Sequence, residues 1–194
     1  MFVKDVMSTP VFSVHEGTSV REALRLLDKH AITSLPVVDR DGALVGVVSE
    51  ADLLRDTVPH DPRRRMIPTV VPEDAPARTV SEVMTSRPVT VGPTDDLATA
   101  VELLTSTSVK SAPVVDHGRL VGMVSRRDVV HLMARRDEQI EAEVSELFRA
   151  DGTDWIAEVV DGVVTVSGPR TASERNVADV LAASVPGVVA VRVE

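Results

Sequence analysis

The chain has 194 residues, of which 43% are hydrophobic, so it is long enough to bury the core of one medium domain or of two small ones. Its formal net charge of -9, from 21 Lys and Arg against 30 Asp and Glu, disfavours broad electrostatic attachment to nucleic acid or to anionic lipid. It contains no cysteine, which excludes disulfides, thiolate metal sites and a cysteine nucleophile.

Several other classes of protein are disfavoured because the sequence lacks the segments and motifs that define them. The N-terminal stretch MFVKDVMSTP has no long apolar run, and no later segment has about 18 consecutive apolar residues, so we expect a cytoplasmic protein without an export signal or a membrane span. The five histidines lack a ligand spacing such as H-x-x-x-H, so no metal site is expected. No G-x-S-x-G, P-loop or G-x-G-x-x-G motif occurs, and we predict a protein that is not an enzyme.

The first elements along the chain form a helix and a hairpin. Apolar residues at helical spacing predict the helix, namely Val20, Ala23, Leu24 and Leu27. Two short runs rich in β-branched residues, at 36–38 and 44–48, flank the turn DRDG and predict two strands. Ser49 follows the second strand and is expected to begin another short helix.

The same order of elements recurs later in the chain. LPVVDRDGALVGVVSEADLL at 35–54 aligns with APVVDHGRLVGMVSRRDVV at 112–130 after one deletion, and KDVMSTPVFSV resembles SEVMTSRPVTV. Such a repeat fixes the architecture before any propensity argument. We therefore predict two β-α-β-β-α repeats, at 1–56 and 79–134.

The two repeats are joined by a stretch dense in proline and arginine, which we place at 57–78. Its densest basic run is Arg63, Arg64 and Arg65. Two readings of that run stay open: a solvated loop, or an arm that reaches a phosphate across a dimer.

A different pattern occupies 135–194. A charged amphipathic helix is predicted from Arg135 to Phe148, with Ile140, Val144 and Leu147 on one stripe. It is followed by WIAEVV, the turn DG, VVTVSG, a helix from about Ala172 to Ala183, and a terminal VVAVRV. The sequence thus predicts a separate α-β-β-α-β unit.

Each repeat carries Ser-x-x-Asp at the end of its second strand, as Ser49 with Asp52 and Ser125 with Asp128. A serine followed three residues later by a carboxylate resembles a capping box, which needs no ligand. A helix start can also bind an anion, and an aspartate can accept both hydroxyls of a ribose. The capping and binding interpretations are compatible, because one set of residues can do both.

The doubled pattern h-P-V-V-D and L-V-G-h-V-S-x-x-D resembles a pair of CBS domains over residues 1–134. The resemblance implies an α+β fold whose two repeats pack with pseudo-twofold symmetry and usually dimerise. It also implies two clefts for an adenosine-containing ligand such as AMP, ADP, ATP or S-adenosylmethionine. We therefore expect a homodimer that binds an adenine nucleotide as a regulatory ligand.

The resemblance also implies the residues of those clefts. Ser49 and Ser125 would lie near the phosphate, and Asp52 and Asp128 would hold the ribose hydroxyls. The loop that lines the base pocket is matched by Thr33, Ser34, Leu35 and Pro36 in the first repeat and by Lys110, Ser111, Ala112 and Pro113 in the second. Its other wall is matched by Val11 and Val89, in predicted strands at Pro10-Val11 and Pro88-Val89.

The inner residues of the two motifs differ, being Glu50 and Ala51 in the first and Arg126 and Arg127 in the second. Two cations at the positive end of a helix cost about 0.3 to 1 kcal/mol each unless an anion joins them. We therefore expect the second cleft, with Lys110 nearby, to prefer a phosphorylated nucleotide. The first cleft is expected to be weak, empty or suited to a less anionic ligand. The alternative is that both arginines extend into solvent.

The C-terminal unit resembles a BON domain through D-G-x-V-x-h-x-G at 161–168 and V-P-G-V-x-x-V at 185–191. BON domains are often described as phospholipid-interacting modules. From residue 135 onward, however, six arginines face twelve acidic residues, a net charge of -6 that anionic lipid would repel. We therefore favour an effector domain that responds to the CBS pair. A ligand-free dimerisation scaffold and a membrane-surface adaptor acting through the BON domain are the alternatives.

Overall fold

A computed structural model of the chain describes residues 1–55, 78–107 and 109–194. The predicted linker, including Arg63, Arg64 and Arg65, lies outside the described residues apart from Arg78. The described residues form two similar α+β repeats and a smaller C-terminal unit, each with its own apolar core.

The first repeat has the predicted order of elements, which are β1 (Val14–His15), α1 (Val20–His30), β2 (Ser34–Val38), β3 (Leu44–Ser49) and α2 (Glu50–Leu54). Helix α1 begins at Ser19, whose hydroxyl accepts a hydrogen bond from the Glu22 N–H. Its apolar stripe buries Val20, Ala23 and Leu27 against the antiparallel pair of β2 and β3. The 3.6-residue period of that stripe is the reason the sequence predicted this helix correctly.

The second repeat has the equivalent helices and hairpin, which are α3 (Leu97–Ser106), β5 (Ser111–Asp116), β6 (Arg119–Ser125) and α4 (Arg126–Met133). Near its start lies β4 (Thr85–Ser86), whose counterpart in the first repeat is Ser8 rather than β1. Strands β5 and β6 form an antiparallel hairpin over a second core that includes Leu104, Val114 and Val124. The strands predicted at Pro10-Val11 and Pro88-Val89 are wrong. Regular pairing begins only at Val14 in the first repeat and at an isolated bridge of Val91 in the second, because a proline has no N–H for a sheet ladder.

The repeats exchange their N-terminal segments. Strand β4, near the start of the second repeat, pairs with β3 of the first repeat. In the same way Ser8, near the start of the first repeat, pairs with Met123 of the second. Each segment therefore completes the sheet of the opposite repeat, so neither sheet is complete without the other half of the chain.

Equivalent contacts on the two sides follow a pseudo-twofold axis. The Val80 N–H donates to the Thr18 carbonyl at 2.8 Å, and its counterpart Val3 donates to Asp95 at 3.0 Å. Two residues of the same repeat position also meet each other across the axis. The buried hydroxyls of Ser34 and Ser111 are hydrogen-bonded at 2.5 Å.

The C-terminal unit has the predicted α-β-β-α-β order, with α5 (Asp137–Ala150), β7 (Ile156–Val160), β8 (Val163–Ser167), α6 (Ala172–Ala183) and β9 (Ala190–Val193). Its sheet has the order β7-β8-β9, with β7 antiparallel and β9 parallel to the central strand. The turn between β7 and β8 holds Asp161 at φ 51° and Gly162 at φ 75°, as a tight hairpin turn requires.

Two details of this unit differ from the prediction. Helix α5 begins at Asp137 rather than Arg135, and the Asp137 carboxylate accepts hydrogen bonds from the N–H groups of Asp161 and Gly162. Its buried stripe ends on Phe148, while Leu147 is only partly buried. Because Phe148 packs edge-on against Trp155 with ring centroids 5.3 Å apart, the larger aromatic side chain takes the core position.

The glycines that open the two repeated motifs are required by the exchanged segments. A Cβ atom added at Gly46 would lie 2.7 Å from Met84 Sδ and 3.1 Å from the Thr85 carbonyl oxygen. The equivalent Gly122 is approached as closely by the Met7 side chain. Because these glycines have no side chain, Met84 can pack against β3 at Gly46 and Met7 can pack against β6 at Gly122.

We expect Gly46→Ala to lower the free energy of unfolding by about 1 to 3 kcal/mol, because overpacking displaces Met84 and strains the pairing of β3 with β4. Urea denaturation measures the change. Gly17→Ala is the matched control, since a Cβ atom at Gly17 meets nothing within 4 Å. Equal stabilities of the two variants would contradict this account.

Candidate functional site

The two Ser-x-x-Asp motifs form the predicted capping boxes. At the start of α2, Asp52 Oδ2 accepts hydrogen bonds from the Ser49 N–H at 3.0 Å and from Ser49 Oγ at 2.6 Å. At the start of α4, Asp128 Oδ2 accepts the same pair from Ser125 at 2.7 and 2.5 Å. The capping interpretation is therefore confirmed at both motifs.

Because each box uses Oδ2, the Oδ1 atom of each aspartate is the one that remains for other partners. Asp52 Oδ1 lies 3.8 Å from a guanidinium nitrogen of Arg55, whose side chain is 74% exposed. Asp128 Oδ1 accepts a hydrogen bond from Ser8 Oγ at 2.9 Å. Both aspartates are partly exposed, so solvent reaches these side chains.

The predicted base-pocket loops run directly beside these helix starts. The Thr33 carbonyl accepts a hydrogen bond from the Glu50 N–H at 2.9 Å, and the Lys110 carbonyl accepts one from the Arg126 N–H at 3.1 Å. The structure therefore brings each loop and its motif together through one main-chain hydrogen bond. The contact consists of main-chain groups that any residue supplies.

Most side chains of these loops point elsewhere. Leu35 and Ala112 are fully buried in the two cores, and Pro36 and Pro113 are buried within β2 and β5. Ser34 and Ser111 bond to each other. The side chains of these residues are therefore not free for a ligand, and only their main-chain groups could contact one in the predicted clefts.

The two residues predicted for the opposite wall are more open. Val11 is partly exposed and Val89 is 51% exposed. Both lie outside regular strands, so their positions depend on the exchanged segments that precede them.

The premise that Arg126 meets unrelieved repulsion is wrong. Its Nε donates to the Leu104 carbonyl at 2.7 Å, and an Nη donates to the carbonyls of Thr107 and Val109 at 3.0 and 3.3 Å. These acceptors lie at and beyond the C-terminal end of α3, which is the negative end of that helix dipole. The guanidinium is therefore stabilised without any bound anion.

The ends of the two equivalent helices explain why only one motif needs an arginine. Helix α1 ends with Ala31 in a left-handed conformation, and the N–H groups of Ala31 and Ile32 bond to the last carbonyls. After α3 the cap residue Thr107 is extended, so the main chain does not make that closure. The Thr107 hydroxyl donates to the Leu103 carbonyl instead, and Arg126 donates to the Leu104 carbonyl. The counterpart of Arg126 in the first motif, Glu50, has no such task.

Lys110 also has a partner that the sequence did not show. Its Nζ lies 3.0 Å from Glu50 Oε1, so the second loop is tied to the first motif across the pseudo-twofold axis. The pair is too exposed to contribute more than about 1 kcal/mol to stability, but the charge of Glu50 compensates the positive charge of Lys110. Within the described ranges, Arg127 makes no hydrogen bond or ion pair, so it alone of the three predicted cations is unpaired.

Among the described residues, pockets of about 330 and 410 Å³ lie beside Pro186 and beside Asp39, and neither is lined by Asp52 or Asp128. Over the residues whose positions are described, no group of three His, Asp or Glu side chains is arranged to hold a metal ion. Over those same residues, no helix combines the length and the apolar character needed to cross a bilayer.

The sequence matches the family model for the CBS domain twice, at residues 3–58 and 80–135. The chain therefore belongs to the CBS domain family and carries a tandem pair. Among its relatives is a CBS domain-containing protein of Dictyostelium discoideum, 34% identical over 140 residues that cover 70% of this chain and 92% of the relative.

Two solved structures are similar to the same part of the chain. CBSX2 in complex with AMP has 34% identity and a TM-score of 0.55, covering 67% of this chain and 93% of that one. The CBS domain pair of protein MJ0100, in complex with 5′-methylthioadenosine and S-adenosyl-L-methionine, has 28% identity and a TM-score of 0.56, covering 68% of this chain and 94% of that one.

We expect Arg126→Ala to lower the free energy of unfolding by about 1 to 3 kcal/mol, because it leaves carbonyls at the end of α3 without their charged donor. Arg127→Ala removes the same charge from the neighbouring position and should leave stability nearly unchanged. Urea denaturation of both variants measures the difference. Equal effects of the two substitutions would mean that the hydrogen bonds of Arg126 do not stabilise α3.

Proposed function

We propose that this protein is a non-enzymatic regulatory protein whose CBS pair binds an adenosine-containing ligand, such as AMP, ADP, ATP or S-adenosylmethionine. The observation that carries the proposal is the pair of partly exposed carboxylates on Asp52 and Asp128. Each is held by an identical capping box at an equivalent position. A fixed carboxylate beside a loop of main-chain donors and acceptors suits a ribose diol and a purine edge.

The ligands named in similar structures support this ligand class. AMP is bound in the CBSX2 complex, and 5′-methylthioadenosine and S-adenosyl-L-methionine are bound in the MJ0100 complex. These molecules share an adenosine and differ in charge. We therefore commit to the adenosine and to Ser49, Asp52, Ser125 and Asp128 as its principal side-chain contacts.

The charges around the clefts weaken the case for a strongly anionic ligand. Arg126 is used by α3, and Lys110 is paired with Glu50. A preference of the second cleft for phosphate therefore depends on Arg127, the one predicted cation without a partner in the described part of the chain. An incoming phosphate would have to compete with Glu50 for Lys110.

We also propose that the protein is a cytoplasmic homodimer. Three large apolar side chains on α2 and α4 are about half exposed or more, at 48% for Leu54, 65% for Val130 and 53% for Met133. Helices that show apolar residues to solvent in this way favour association with a second chain. A scaffold that dimerises through this face without a ligand is the second candidate function.

The C-terminal unit is proposed to be a BON domain that responds to occupancy of the CBS pair. The hairpin turn at Asp161 and the α-β-β-α-β order support the likeness. Its net charge argues for a protein effector rather than for anionic lipid. Coupling requires that the ligand bind two arrangements of the chain with different affinity.

A thermal-shift panel of AMP, ADP, ATP, S-adenosylmethionine and NAD tests the ligand class. A ligand that binds only the native state at 100 times its Kd stabilises that state by about 2.7 kcal/mol, so at least one adenosine compound should raise Tm. The Asp52→Asn/Asp128→Asn double variant should lose the shift. Glu174→Gln is the matched control, since it alters a capping-box carboxylate in the C-terminal unit. No shift with any compound would favour the ligand-free scaffold.

Trp155 offers a direct test of the relay, because it is the single tryptophan and lies in the C-terminal unit. If occupancy reaches this unit, a ligand found in the panel should change the emission of Trp155 or its quenching by acrylamide. The double aspartate variant should show no change at the same ligand concentration. Unaltered Trp155 fluorescence with a saturating ligand would contradict the relay and leave ligand binding intact.

A further inference from the structure

The second cleft differs from the first in one hydrogen bond to its aspartate. Ser8 Oγ donates to Asp128 Oδ1 at 2.9 Å, although the two residues are 120 positions apart. Ser8 is fixed there by its main chain, which donates to the Met123 carbonyl at 2.8 Å and accepts from the Met123 N–H at 3.2 Å. The contact is therefore a product of the exchange of N-terminal segments.

The equivalent position in the first cleft has no such contact. Thr85 pairs with Val47 in the same register as Ser8 with Met123. In the part of the chain that the structure describes, however, the Thr85 hydroxyl makes no hydrogen bond to Asp52. The Oδ1 atom of Asp52 has only the exposed Arg55 at 3.8 Å.

A serine hydroxyl and a ribose hydroxyl are the same chemical group toward a carboxylate. Each donates one hydrogen bond to a charged oxygen, and each is satisfied by water when it is released. The two oxygens of a carboxylate offer about four acceptor sites, of which Ser125 uses two on Asp128 Oδ2 and Ser8 uses one on Oδ1. A ribose that donates both of its hydroxyls to Asp128 must therefore displace Ser8. A ribose that binds Asp52 displaces only water and a weak, solvent-screened ion pair.

We propose that Ser8 is an internal competitor for the ribose hydroxyls in the second cleft, so that the first cleft fills at lower ligand concentration. This inference rests on the proposed function and adds a regulatory residue to it. It reverses the order expected from the arginines of the second motif. The exchanged segment thus sets two different thresholds in clefts that share the same Ser-x-x-Asp motif.

Calorimetry on the full chain with AMP and with 5′-methylthioadenosine tests the proposal one cleft at a time. Asp52→Asn leaves the second cleft, and adding Ser8→Ala to it should tighten binding there by about threefold to tenfold for both compounds. The matched control adds Thr85→Ala to Asp128→Asn, which should leave the affinity of the first cleft unchanged. Ser8→Ala keeps the main-chain pairing with Met123, and circular dichroism verifies the fold.

The outcomes separate this inference from the proposed function. Weaker or unchanged binding in the Ser8→Ala/Asp52→Asn variant would overturn the competition, because Ser8 would then be a ligand contact or irrelevant. 2′-Deoxy-AMP, which lacks one of the two hydroxyls, should gain less from Ser8→Ala than AMP does, and an equal gain would also overturn it. If neither adenosine compound binds the unaltered chain, the proposed function itself fails. If a compound binds but neither aspartate variant alters its binding, the aspartates are not the contacts and the competition is overturned while ligand binding stands.

Discussion

The exchange of N-terminal segments is the constraint on which the rest of the CBS pair depends. The first residues of each repeat complete the sheet of the other repeat, and a methionine of each segment lies where a glycine leaves room. The two cores therefore cannot be assembled independently. The same exchange brings Ser8 to Asp128 and thereby links the start of the chain to the second cleft.

The pseudo-twofold axis repeats the main chain but not the charges. The contact between Lys110 and Glu50 has its symmetry mate at Thr33 and Arg126, where no ion pair can form because Thr33 is uncharged. Arg126 donates instead to the carbonyls at the end of α3. A difference in how two equivalent helices end has thus changed the charge beside one cleft. Arg126 differs from its counterpart Glu50 because it stabilises the end of α3. A sequence difference between the two repeats can therefore have a structural cause that is unrelated to the ligand.

Features that depend on residues close together in the chain were predicted from the sequence. Contacts between side chains and residues far apart in the chain were not. The helix over α6, the hairpin turn at Asp161 and both capping boxes follow from spacings of a few residues, and the structure confirms them. The role of Arg126 could not be predicted from such spacings. Its long side chain begins on α4 and donates to carbonyls at the end of α3, which lies about 20 residues earlier in the chain. The sequence did contain a signal for this role. The residues from the end of α3 onward, STSVKS at 106–111, include no glycine or asparagine that could close the helix.

The proposed relay has a short physical path, and it begins at the second cleft. Ser125 and Asp128 open α4, and α4 ends at Met133, only three residues before α5 of the C-terminal unit begins. Within that connection, Arg135 donates to the Pro186 carbonyl and pairs with Glu143, so it belongs mechanically to the C-terminal unit. A movement of α4 would therefore be transmitted to the C-terminal unit through a connection of only three residues. Because Ser8 competes at this cleft and not at the first, the cleft beside the path would be the one with the higher threshold, and the relay would respond only after the first cleft has filled.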